Sequence, residues 1–272
     1  MVTTAPIDIA CDDATEFQRF LNDLYGYKDD VSTKVYHRSR VALFQRIVEN
    51  LIAQGVITNF GSALDIGCNS GFFSKLISDF GFAEVLGVDV DTELLERAQR
   101  AFTSTEPGKR ITFAMTDATV LPDDKQYDFI LCTEVIEHTE NPNAVIEAIA
   151  RLLAPGGVAV VSLPNCVSIG FATAWLASVV RRNMSHDLWA HLQYPFFKGP
   201  GLFKKKGVRV VQTAGVNCLL NGHALSVVYR TPFFNAINRA NFWLSSRWPM
   251  CNLSQFFFFV LKKDGEKAEL AN

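Results

Sequence analysis

Short apolar runs alternate with stretches of helical periodicity from Ala63 to Asn165, and no other feature limits the fold as strongly. Strands are predicted at 62–66, 84–89, 111–115, 127–132 and 157–163, with amphipathic helices between several of them, for example at 92–102 and 142–153. Consecutive parallel strands need a crossover, which a helix packing back on the sheet supplies with right-handed sense. The alternation therefore predicts an α/β, doubly wound, mostly parallel sheet. "APGG", from Ala154 to Gly157, stops the last of these helices, because proline cannot continue it and glycine supplies a positive φ.

The flanks follow other patterns. Helices are predicted at 15–25 and 34–54; in the second, Val41, Phe44, Ile47, Val48 and Leu51 recur at helical spacing and form a core-facing stripe. After Asn165 come an apolar helix, "SIGFATAWLASVV", an aromatic-rich loop, "HLQYPFFKGPG", a strand at 208–212, a helix near 233–245 and a closing strand at 255–261. "FFFFVL" in that last strand reads as buried on both faces. The expectation is one domain over 1–272, with a helical cap at 1–60, a core at 61–165, an inserted helical lid at 166–200 and the rest of the sheet at 201–272. Apolar residues make up 49% and charged residues 20%, enough for a sizeable core. A formal charge of −2 gives no electrostatic reason to expect nucleic acid or an anionic membrane as the main partner. No apolar run reaches the roughly 18 residues of a membrane span, and no signal peptide is visible at the N-terminus. The six cysteines show no C-x-x-C pair, which argues against a zinc ribbon or disulfide framework and suits a reducing cytoplasm.

"ALDIGCNSGFFS" is strand, glycine turn, helix start, placed where the first strand of such a sheet delivers its ligand loop. Gly67 and Gly71 let the backbone turn sharply and approach a ligand, and Asn69 tolerates left-handed backbone. The pattern D-x-G-x-x-x-G lacks the middle glycine of a dinucleotide fingerprint, which disfavours a NAD-dependent oxidoreductase. With the acid after "LGVDVD", the "TDA" at Thr116–Ala118 and "LLAPGGVAVVSLPN", the chain resembles the class I S-adenosylmethionine-dependent methyltransferases over about 63–165. "GVRVVQ" and "FFFFVLKK" fit that family's antiparallel edge, so the resemblance implies seven strands.

The resemblance also implies roles. Asp65, Gly67, Cys68, Asn69 and Gly71 would line the methionine part of S-adenosylmethionine, Asp89 and Val90 its ribose, Asp117 and Ala118 its adenine. Thr133 and Glu134 would lie near the sulfonium, and Tyr36 and Arg40 of the cap would close over the cofactor, Arg40 on its carboxylate.

Strand 127–132 runs into "EVIEH", where Glu134, Glu137 and His138 fall at i, i+3 and i+4, a spacing that one helical turn presents on one side. Two readings follow. In the first, Glu137 caps the turn and His138 is a hydrogen-bonded histidine or a general base. In the second, the three join His191, or less well His186, to hold a divalent metal, as in ubiquinone-pathway O-methyltransferases and small-RNA end-modifying enzymes. Magnesium is the typical ion there; two imidazoles equally suit manganese, iron or zinc. The acceptor expected is a small, aromatic or hydrophobic molecule methylated on oxygen, with Phe171, Trp175, Trp189, Tyr194, Phe196, Phe197, Phe233, Phe234, Phe242 and Trp243 as candidate pocket residues. An RNA 2′-O-methyltransferase, an N- or C-methyltransferase with His138 as base, and a non-catalytic scaffold are the competing readings. No nucleic-acid partner is expected, and the sequence leaves the oligomeric state open.

Overall fold

The structure is a computed structural model that describes residues 31–103, 110–169, 171–172, 175, 179, 195, 198–204, 207–218 and 231–264. In chain order its elements are α1 (Val31–Ala53), β1 (Ser62–Ile66), α2 (Phe72–Asp79), β2 (Glu84–Asp89), α3 (Thr92–Phe102), β3 (Arg110–Met115), β4 (Tyr127–Thr133), α4 (Pro142–Leu152), β5 (Leu153–Pro164), α5 (Gly199–Lys204), β6 (Val208–Val216), α6 (Phe234–Ser245) and β7 (Phe256–Lys263). Single 3₁₀ turns at Ala118–Val120, Ile136–His138 and Met250–Leu253 complete them. The sheet has seven strands in the order β3-β2-β1-β4-β5-β7-β6, with β7 antiparallel to both neighbours. The predicted helix at 15–25 lies outside the described residues, as does most of the lid.

Strand alternation builds two cores. Phe129, Leu131, Val158, Val160, Phe258 and Val260 face one layer, where α1 adds Val41, Phe44, Ile47, Val48 and Leu51, the predicted stripe. Ile130, Cys132, Ala159, Val161, Phe257 and Phe259 face the other, against Val145, Ile146 and Ile149 of α4. "FFFFVL" thus feeds both layers from consecutive positions. Full burial of one such side chain stabilises by about 1.5–3 kcal/mol, which is why this strand tolerates no polar residue until its lysines.

Local signals set the ends. The Asp91 carboxylate accepts from the Glu93 and Leu94 N–H groups at 2.9 and 3.1 Å and starts α3. Asn141 caps α4, with Pro142 in its first turn. That helix ends at Leu152, one residue earlier than predicted, because Leu153 is already extended and pairs with Tyr127. The next pair is Phe129 with Val158, so "APGG" is looped out of the ladder, with Gly156 at φ +78°.

Candidate active site

The carboxyl ends of β1, β2 and β3 meet at one cavity of about 400 Å³, to whose lining Gly67, Asp89, Asp117, Ala118, Val135 and His138 contribute. Gly67, in the turn after β1, is part of that lining. Gly67 and Cys68 donate to the Val88 carbonyl at 2.8 and 3.0 Å, and Gly71 donates to the Cys68 carbonyl at 2.9 Å. Gly67, Asn69 and Gly71 have φ of +68°, +52° and +82°, the left-handed backbone that the sequence predicts. Space is as restrictive as φ: a Cβ on Gly67 would stand 2.2 Å from Val135 Cγ2, and one on Gly71 2.7 Å from the Phe113 ring. Gly67→Ala is therefore expected to lower unfolding free energy by at least about 2 kcal/mol in urea titrations, from left-handed strain of about 1–2 kcal/mol plus the clash.

Asp89 clasps this loop. Its Oδ2 accepts from the Asn69 N–H at 2.8 Å and its Oδ1 from the Asp91 N–H at 3.0 Å. Asp117 accepts from the Thr119 N–H at 2.8 Å, and its carboxylate is exposed beside buried Ala118. Val90 is 71% exposed at the rim. Asp65 is buried and bonded by the Ser74 hydroxyl at 2.7 Å, linking β1 to α2. Burial, opposed by that hydrogen bond, raises its pKa to about 7. Burial likewise pushes the Cys68 thiol up, so it stays protonated. The Ser74 contact was not foreseen, although a serine nine residues after the strand acid was its visible signal.

At the end of β4 the chain gathers charged side chains. Glu134 has φ +55°, donates its N–H to Ser162 Oγ at 3.0 Å, and pairs with Arg40 at 2.7 Å. Arg40 is buried in α1, its guanidinium 5.2 Å from the centre of the Phe73 ring. Thr133, beside Ser162 in the ladder, is half-buried. Tyr36 lies in the same helix, but its side chain is outside the described residues. Glu137 is 7% exposed, and its Oε2 has no hydrogen bond to a described residue. Burial, helped by the Glu134 charge, raises its pKa to about 8.

Glu134, Glu137 and His138 do not lie on one α-helical turn. Their spacing assumed an α-helical turn, whereas Glu134 is left-handed and 136–138 form a 3₁₀ turn. Glu134 turns to Arg40, Glu137 points inward, and His138 is exposed on the cavity. Among the described residues no three His, Cys, Asp or Glu side chains come together as a metal site. Glu134, Glu137 and His138 thus form no such group by themselves, and the fourth predicted ligand, His191 or His186, lies outside the described residues. Of the aromatic candidates, Trp189, Tyr194, Phe196 and Phe197 lie outside the described residues. Phe234 is buried, Phe242 packs on the core with α1, and Trp175, Phe233 and Trp243 are exposed. No described aromatic lines the cavity.

This strand order, with its antiparallel β7, a glycine turn after β1 and acids after β2 and β3, is the fold of the class I S-adenosylmethionine-dependent methyltransferases. A family model described as a methyltransferase domain matches residues 36–220, and the chain belongs to that family. A ubiquinone biosynthesis O-methyltransferase of Psychrobacter arcticus is 35% identical over 104 residues, 38% of this chain and 40% of that protein. The one from Idiomarina loihiensis is 28% identical over 184 residues, 63% and 72% of the two chains. The chain thus spans about two-fifths of the length of the first of these relatives. Magnesium protoporphyrin IX methyltransferase from Synechocystis superposes with a TM-score of 0.60 with bound SAH and 0.56 with bound SAM. Both are 16% identical and cover 93% of this chain, with 96% and 93% of theirs matched, which is a likeness of fold.

Proposed function

We propose that the chain transfers the methyl group of S-adenosylmethionine to an oxygen of a small, apolar or aromatic acceptor. The observation that carries this reading is the single cavity joining Gly67, Asp89, Asp117 and Ala118 along three successive strand ends. A cofactor with a methionine tail, a ribose diol and an adenine needs that succession: open backbone, a carboxylate for two hydroxyls, then an acceptor and a donor for the base. Arg40 and Glu134, a cation and an anion side by side, suit the carboxylate and ammonium of the tail. The cofactor supplies the reactive methyl, so the protein's work is to align the acceptor oxygen, exclude water and take its proton.

For the proton we assign Glu137. It lies with Glu134 and Arg40 at the methionine end in this reading, its Oε2 has no hydrogen bond to a described residue, and a pKa near 8 makes it a stronger base than an ordinary carboxylate. His138 shares the cavity with Asp117 and Asn141, which this reading gives to adenosine. The curated relatives named above are O-methyltransferases, which supports oxygen over nitrogen or carbon. Calorimetry with S-adenosylmethionine, S-adenosylhomocysteine and NAD should show binding of the first two alone. Labelled methyl should then pass to a phenol or catechol panel. Binding of NAD in their place, or label entering only amines or short RNA, would overturn the reading.

A further inference from the structure

The carboxyl edge of the sheet carries a second feature, beyond the cofactor cavity. Where β5 ends, the Asn165 amide donates to the Asn252 and Ser254 carbonyls, each at 2.8 Å, and its oxygen accepts from the Val167 N–H at 3.1 Å. One buried side chain thus ties the segment leaving β5 to the turn entering β7. Both turn apolar groups outward. Val167 and Ile169 are 42% and 39% exposed, Trp243 51% and Trp248 82%. Trp248 stands on a turn closed by the Cys251 N–H on the Arg247 carbonyl at 2.8 Å and the Asn252 N–H on the Pro249 carbonyl at 3.1 Å. The Arg247 guanidinium covers the Trp243 ring at 4.2 Å. Single exposed apolar residues are ordinary; several at one junction are not.

Charge decides what such an edge meets. Acidic residues outnumber basic ones in the chain, 28 to 26, yet from Thr231 to Leu253 there are two arginines and no Asp or Glu. We propose that this edge docks on the surface of an anionic lipid bilayer, with Trp243 and Trp248 among the headgroups and Arg247 on their phosphates. Indole rings favour that interface, since the ring is apolar and its N–H stays wet. Arginine beside them meets the negative surface potential. Among the described residues no helix is long and apolar enough to cross a membrane, and the contact proposed is with the bilayer surface. The cofactor cavity opens at the same edge, so an apolar acceptor dissolved in the bilayer would lie on the side where its methyl donor is held; this last clause rests on the proposed function.

The test is flotation of the full chain with phosphatidylcholine vesicles, with and without phosphatidylglycerol, read also by quenching of tryptophan fluorescence with brominated lipid. Partitioning should be about tenfold stronger on the anionic vesicles and fall with added salt. Trp243→Ser with Trp248→Ser should lose about tenfold, and Arg247→Gln about fivefold on anionic vesicles only. S-adenosylhomocysteine binding, measured on the same variants, should not change; this separates loss of the surface from loss of the fold or of the cofactor site. Equal partitioning on both vesicles, no quenching, or full binding by the double variant would overturn the proposal. So would self-association that the double variant abolishes, which would assign the edge to a second copy of the chain.

Discussion

Asp89→Ala is expected to weaken S-adenosylhomocysteine binding by about 2–4 kcal/mol, or about 30- to 900-fold, in calorimetry. Hydrogen bonds to a carboxylate are worth roughly 1.5–3 kcal/mol each and do not add fully, and a ribose diol makes two. The same oxygens already hold the Asn69 and Asp91 N–H groups, so alanine also unclasps the glycine turn. Asp89→Asn separates the two roles: it keeps the shape and one acceptor oxygen, and should fall between the parent and alanine. Thermal unfolding without ligand reports the loop damage alone. Affinity that survives in a folded Asp89→Ala protein would remove Asp89 from the site.

Glu137→Gln should move activity and stability in opposite directions. Removing a general base costs about 10²- to 10⁴-fold in turnover. The stability effect follows from proton counting. The side chain titrates near 4.5 when unfolded and near 8 in the fold. Between those values the unfolded chain has lost a proton that the folded chain keeps, so this group's contribution falls as pH rises from about 4.5 to about 8 and is constant above. Glutamine cannot ionise and escapes the loss. The variant should melt higher than the parent at pH 8 and differ little near pH 4. Asp65 contributes a fall of the same sign between about 3.8 and 7, but it is common to both proteins and cancels. In the parent, kcat/KM should rise with pH and level off above 8, as the ionised fraction does. A flat profile, or full turnover by Glu137→Gln, would exclude Glu137 as the proton acceptor.

Most of the framework was legible because it rests on period and punctuation. Leu64 and Ile66 alternate with Ala63 and Asp65 across β1, and the glycines after them take the φ values that only such residues take cheaply. β6 was read too short, ending at Gln212 instead of Val216, because Gln212 and Thr213 look like a strand end. Their pairing with Val260 and Phe259 is tertiary, and local propensity does not contain it. "EVIEH" failed for a related reason. Spacing predicts a shared side only when the backbone is α-helical, and what sets the backbone here lies elsewhere: Arg40 and Ser162 hold Glu134 from 94 residues before and 28 after.

The place of β7 bears on the order in which the sheet can be completed. Among the described residues β6 is an edge strand whose ladder runs to β7 alone, and β7 also pairs along β5 from Val158 to Pro164. On a ribosome, β1 to β5 emerge and can assemble through their own crossovers while β6 still lacks the strand that joins it to them. In that interval β5 presents an open apolar edge, the kind of surface on which other chains add strands. The phenylalanine run that fills it arrives last and pairs with two neighbours, so this end of the sheet cannot close until β7 is made.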